Sequence, residues 1–342
     1  MKLWPRAVAG LTGAVIALGF GAAEAKSNWT FFGNMPRGNA YGQAMAAGFE
    51  RIREKTDGEL NIRYVFFGET PYKHTEALNL MKDGLTQMVE WSPALTSATY
   101  PAIGASELPF LIPSMSDAQE SLEKMNAVWD SEAYRTAVDD IVSANGAVAL
   151  ARHYYPPMNL WVADEDLEDM FSIRGQKIRT INAEYGILLE EVGASPVTMT
   201  SPEVYEALQR NVMSGVLTGS PNIIQSKWNE VLNSVYVANM SLPASFLLIR
   251  EDMLDSLPED QRTILEEEME VLGEDLRRVM WETDTSTLAR LEEEDFTVVE
   301  ATDEDYARLR EIAQTKIWPA WVRSAGDEGQ ALLDAALGAL GE

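Results

Sequence analysis

In RGQKIRTINAEYG, residues 174–186, three cations (Arg174, Lys177 and Arg179) fall within six residues of an otherwise acidic chain. Arg179 alternates with Ile178 in KIRTI, where a short strand should enter a core. A guanidinium stays charged at physiological pH, and its planar fork of N–H donors matches the two oxygens of a carboxylate. Placing it beside apolar neighbours is costly unless an anion meets it. That anion is either an internal Asp or Glu, which acidic surroundings readily supply, or the carboxylate of a bound solute.

The usual catalytic sets are missing. Only His74 and His153 are available and nothing places them together, which leaves no zinc site and no Ser-His-Asp relay. No Gly-x-Ser-x-Gly, Gly-x-Gly-x-x-Gly or Gly-x-x-x-x-Gly-Lys-[Ser/Thr] occurs. The 54 acidic residues leave a glycosidase-like pair open, though none sits in a distinctive setting. His74 follows a Pro-Tyr-Lys turn and reads as a surface residue at a helix start. His153 reads as the end of a strand. The run EEEME (266–270) lacks the alternating Asp/Asn spacing of a calcium loop and reads as a solvated helix face. No catalytic residue, metal or cofactor is expected.

Any site must be positioned by alternating strands and helices. NWTFFGN (28–34), LNIRYVFFG (60–68) and LTQMVEWS (85–92) read as strands. AYGQAMAAGFERIREKTDG (40–58) and HTEALNLMKDG (74–84) read as helices stopped by Gly58 and Gly84. That order implies parallel pairing through right-handed crossovers. A second unit is expected to begin near 147, with strands AVALARHYY, MNLWVAD, KIRTI and SGVLTG. Its helix TSPEVYEALQRN (200–211) has Ser201 as N-cap and Pro202 at the first helical position. From Pro258 to about Glu294 the pattern is one long helix with an apolar stripe at Ile264, Leu265, Met269, Leu272, Leu276 and Val279. Two α/β domains with a ligand cleft between them, spanned by this helix, follow. The expected division is domain I, 26–146 plus about 240–280, and domain II, 147–239 plus about 281–342.

The N-terminus reads as a secretory signal peptide over residues 1–25. Lys2 and Arg6 precede the apolar run AVAGLTGAVIALGFGAA, and Ala23-Glu24-Ala25 closes it. The mature chain is expected to begin near Lys26, to be soluble and to reside in the periplasm. Without residues 1–25 it holds 25 basic and 53 acidic residues. Such a charge disfavours nucleic acid and anionic lipid, and any anion site must be local and pre-built. The absence of cysteine excludes a disulfide framework and thiol chemistry.

The segment from Arg174 to Trp228 resembles the DctP-type substrate-binding proteins of tripartite ATP-independent periplasmic (TRAP) transporters. The likeness is carried by IRGQKIRT and VGASPVTMTSPEVYEALQRNVMSG, and it extends to REKTDGELNIRYV, NLMKDGLTQM and ELPFLIPSMSD (107–117). The resemblance implies a bilobal α/β binding protein whose Arg179 forms a bidentate salt bridge with a ligand carboxylate. It also places Asn34 or Met35, Trp91, Ser92, Tyr154, Ser201 and Thr218 at the cleft. Packing in the core is the alternative for Trp91 and Tyr154. Where the family often carries Asp-Gly-x-Glu-Asn, this chain has Ser214-Gly215-Val216-Leu217-Thr218. The lost polar groups disfavour a heavily hydroxylated ligand and point to a small organic acid with one anchoring carboxylate. It is expected to have an aromatic or otherwise less polar remainder. The implied partner is a sodium-driven TRAP permease, and the chain is expected to be a monomer. An exported hydrolase and a ligand-presenting sensor are the rival readings.

Overall fold

The computed structural model describes residues 27–342 apart from 114, 116 and 200. The expected signal peptide, 1–25, lies outside the described residues. Eleven strands are found among those described: β1 (Ser27–Gly33), β2 (Leu60–Phe66), β3 (Met88–Trp91), β4 (Ala147–Tyr154), β5 (Asn159–Val162), β6 (Lys177–Thr180), β7 (Ser195–Thr198), β8 (Gly215–Thr218), β9 (Ser234–Val237), β10 (Ala244–Arg250) and β11 (Thr297–Glu300). They form two mixed sheets, ordered β2-β1-β3-β10-β4 and β11-β9-β5-β8-β6-β7.

The first unit pairs as its strand–helix alternation predicts, with β1 parallel to β2 and to β3. On β2, Leu60, Ile62 and Tyr64 are buried while Asn61 and Arg63 are exposed. Helix Ala40–Lys55 starts on the Asn39 side chain, which accepts the Gly42 N–H at 2.7 Å. It buries Tyr41, Met45, Gly48, Phe49 and Ile52 at helical spacing. Gly48 lets helix Glu259–Glu293 close in, since a Cβ there would lie 2.8 Å from Leu272 Cδ1.

The strand AVALARHYY does not open the second unit. β4 instead closes the first sheet, antiparallel to β10, which also runs antiparallel to β3. Nor is the second sheet all parallel: β5 is antiparallel to both β8 and β9. The pairing partner of β4 lies some ninety residues downstream, a non-local choice that no local pattern specifies.

The chain therefore passes between sheets three times, two of them as extended crossings at 155–158 and at 238–243. The two crossings run side by side: the Tyr155 N–H donates to Pro243 O at 2.8 Å, Met158 N–H to Ser241 O at 3.1 Å, and Met240 N–H to Met158 O at 2.9 Å. The third connection is helix Glu259–Glu293, roughly 50 Å long at 1.5 Å per residue. It packs on helix Ala40–Lys55 and β4 in the first lobe, then on helix Ser220–Gln225 and β11 in the second. Leu265, Met269, Leu272, Leu276 and Met280 join the first-lobe core, and Leu291 joins that of the second. Ile264 and Val279, expected in the stripe, are only half-buried. The last helix, Trp318–Leu340, returns to the first lobe and packs on 101–107 and 118–143.

Candidate ligand-binding cleft

Arg179 sits on β6 between Val197 of β7 and Val216 of β8. It is 6% exposed. Its Nε–H donates to Met199 O at 3.1 Å, and no carboxylate among the described residues pairs with it. Burial pulls its pKa down to about 10, so it remains a cation at neutral pH. The internal-acid alternative is thus absent among the described residues.

Arg179 faces a cavity of about 250 Å³ between the lobes. The first lobe contributes Asn34 and Met35, from the turn after β1, His74, and Ser92, Ala94 and Leu95, from the end of β3 onward. The crossings contribute Tyr155, Pro156, Met158 and Pro243; the second lobe contributes Arg179, Ile181, Thr218, Gly219, Pro221 and Asn222. Among these described residues Arg179 alone carries a permanent charge, and most of the wall is apolar.

Four of the seven expected residues meet here: Asn34, Ser92, Arg179 and Thr218. Ser92 Oγ donates to Ala244 O at 3.2 Å. Thr218 Oγ1 accepts from Asn222 Nδ2 at 3.0 Å, leaving its own hydroxyl proton for a solute. Gly215 opens β8 because a Cβ there would lie 2.4 Å from Trp161 O. Asn34 is buried, and its amide makes no hydrogen bond of ordinary geometry, its side chain approaching only the Tyr155 phenol.

Trp91 and Tyr154 do not line the cavity. Trp91 is fully buried, its Nε1 donates to Thr96 Oγ1 at 2.9 Å, and its ring packs against Phe246 at 5.6 Å. Tyr154 donates to Asn126 Oδ1 at 2.8 Å on the outer side of β4. In each case the adjacent residue, Ser92 or Tyr155, faces the cleft instead. Successive side chains at a strand end point to opposite faces. Ser201 begins helix Ser201–Gln209, and its side chain lies outside the described residues.

His74, read from sequence as a surface residue, is a half-buried part of the cleft wall. Burial lowers its pKa, which keeps the ring neutral near pH 7. An acid in a distinctive setting beside the cleft was also missed. Glu90 is fully buried on β3, and the available signal was a carboxylate inside the otherwise apolar MVEW. His153 lies inside β4, paired with Glu90 at 2.9 Å. Among the described residues no His, Cys, Asp or Glu cluster could hold a metal, and no helix is long and apolar enough to cross a membrane.

The comparisons agree with this architecture. The DctP family model, bacterial extracellular solute-binding protein family 7, matches residues 33–322. The C4-dicarboxylate-binding periplasmic protein DctP of Rhodobacter capsulatus is 29% identical over 66% of this chain and 65% of its own length. YiiZ of Salmonella typhimurium is 24% identical over 63% of this chain and 64% of its own. The chain thus spans slightly less than two thirds of these two relatives. Among solved structures, DctP7 of Bordetella pertussis, an extracytoplasmic solute receptor binding pyroglutamic acid, superposes with a TM-score of 0.77. It is 21% identical and covers 91% of this chain and 99% of its own. The matched length and the two-sheet architecture place this chain in the DctP family of bacterial extracellular solute-binding proteins, whose members are receptors rather than enzymes.

Proposed function

We propose that this chain is the extracytoplasmic receptor of a TRAP transporter, capturing a small organic acid through Arg179 and delivering it to a membrane permease. The observation that carries the reading is a buried guanidinium, unpaired among the described residues, on the wall of an interlobe cavity. Its Nη donors, without a partner among the described residues, suit a carboxylate bidentately. Thr218, Asn222, Ser92 and Asn34 supply hydrogen bonds around it, while Met35, Met158, Pro156 and Pro243 suit a compact, weakly polar remainder. A cavity of about 250 Å³ fits an acid of roughly the size of pyroglutamate. Binding closes the lobes about the paired crossings, and energy comes from the permease.

Thermal-shift and calorimetric titration against a panel of small carboxylic acids tests this, with Arg179→Ala alongside. Wild type should gain melting temperature by mass action. Arg179→Ala should weaken binding at least about thirtyfold, the low end of the 2–5 kcal/mol typical for truncating a buried charge pair. Equal shifts in both proteins would make Arg179 structural and remove the basis of the reading. Turnover of a bound acid would instead favour the hydrolase.

A further inference from the structure

Behind the first-lobe wall of the cleft lies a carboxylate that solute capture, as described, does not use. Glu90 and His153 are both fully buried. Glu90 Oε2 accepts the Asn34 backbone N–H at 2.8 Å. Its Oε1 accepts from His153 Nε2 at 2.9 Å and from the Tyr155 phenol. Asn34 and Tyr155 both line the cleft, so a single layer of residues separates the carboxylate from a bound solute. Burial pushes the Glu90 pKa up, but the donors from His153, Tyr155 and Asn34 outweigh it and hold the group ionised.

Among the described residues no Lys or Arg pairs with Glu90, and its one ion-pair candidate is His153, whose attraction also lowers the Glu90 pKa. His153 Nδ1 is buried without a partner. The Tyr41 and Tyr64 phenols, neutral at physiological pH, lie nearby, Arg37 caps the Tyr64 carbonyl, and His74 of the cleft wall is within electrostatic reach. The cleft thus has a positive wall at Arg179 and a negative potential behind Asn34 and Tyr155.

We propose that Glu90 sets the charge of the solute: its buried carboxylate repels a second anionic group from the first-lobe wall. The cleft then admits acids with one carboxylate. It orients them with that group on Arg179 and a neutral, hydrogen-bonding end toward Asn34 and Tyr155. The inference rests on the carboxylate-binding reading above and adds a filter to it.

Calorimetric titration of the purified protein with glutarate, monomethyl glutarate and pyroglutamate tests the filter, in wild type and Glu90→Gln. Wild type should bind the monoester and pyroglutamate at least about tenfold tighter than the dianion, a difference of about 1.4 kcal/mol. Glu90→Gln should bring glutarate within about threefold of its ester, because the repelling charge is gone. The ester comparison needs no variant, so the filter can fail in wild type even if Glu90→Gln does not fold. Equal affinity for ester and dianion in wild type overturns it. So does a uniform loss for all three acids in Glu90→Gln, which makes Glu90 a support for Asn34 and Tyr155 only. A wild type that takes pyroglutamate but refuses ester and dianion alike selects by shape and also overturns it. If no acid binds, or binding ignores Arg179→Ala, the capture reading fails with it.

Discussion

Asn34 carries two buried amide atoms, Nδ2 and Oδ1, that make no hydrogen bond of ordinary geometry, on a residue whose backbone N–H is held at 2.8 Å by Glu90. Its side chain meets only the Tyr155 phenol, and weakly, and a buried amide so poorly matched costs about 1 kcal/mol in the empty protein. The same atoms are a ready donor and acceptor for a solute entering the cavity. Asn34→Leu, close in volume, is therefore expected to move two quantities in opposite directions. The melting temperature of the empty protein should rise by about 2 °C, as for roughly 1 kcal/mol in a chain of this size. Affinity for the acid that wild type binds should fall about tenfold. Calorimetry with and without that acid reads both. A fall in melting temperature with unchanged affinity would make Asn34 a packing residue.

At the scale of elements, the crossings are strapped by Glu107, Phe110 and Met115. Glu107 Oε1 accepts the Ala244 N–H at 3.1 Å, the Phe110 N–H donates to Met240 O at 2.7 Å, and Asn239 Nδ2 donates to Met115 O at 3.0 Å. Burial, with Glu184 adding to it, pushes the Glu107 carboxyl up to about 8. Its folded pKa lies above its unfolded value of about 4.3, so the fold prefers the protonated form. The stability this contributes is fully present below the unfolded pKa and is lost as pH rises through about 8. Asp284 acts in the same direction, but through about 6, while His74, whose pKa burial lowers, acts in the opposite sense near its unfolded value of about 6.5, so the Glu107 contribution is read as the difference between wild type and Glu107→Gln from pH 6 to 8. Glu107→Gln keeps an acceptor for Ala244 and should flatten the decline of melting temperature across that window. At pH 8 it should be the more stable protein by on the order of 2 kcal/mol, each pKa unit being about 1.4 kcal/mol. An unchanged slope in a pH series of thermal melts would refute this.

For the whole molecule, the lobes present apolar residues to each other across the cleft. Leu95 of the first and Ile181 of the second are 37% and 36% exposed, and both border the cavity. Closure about the crossings would bury them on the solute or on each other, a gain absent in the empty protein. Leu95→Ser and Ile181→Ser should each weaken solute binding about three- to tenfold, by the loss of roughly 1 kcal/mol of apolar burial. The melting temperature of the empty protein should change little. Small-angle scattering of wild type should show a smaller radius of gyration with the acid bound. No contraction, with full affinity in both variants, would mean that the lobes do not close.

Composition, element order and the candidate anchor were legible in the sequence. The 54 acidic residues, two histidines and absent cysteines shaped the expected chemistry. Local alternation drew β1, β2, β3 and β6 close to their observed bounds, and Arg179 stood out as a cation in a strand. These are properties of composition and of neighbours in the chain. What local pattern left open is which sheet a strand joins and which of its faces meets the cleft. β4 reads the same at the edge of either sheet, and only β10, far downstream, assigns it to the first. A period of two separates Trp91 from Ser92 and Tyr154 from Tyr155, but it does not say which member of each pair faces the solute. That choice belongs to the packing of two lobes against each other. The same packing carried His74 into the cleft wall and set Glu90, one acid among many in the sequence, behind it as a buried carboxylate hydrogen-bonded to His153, Tyr155 and Asn34.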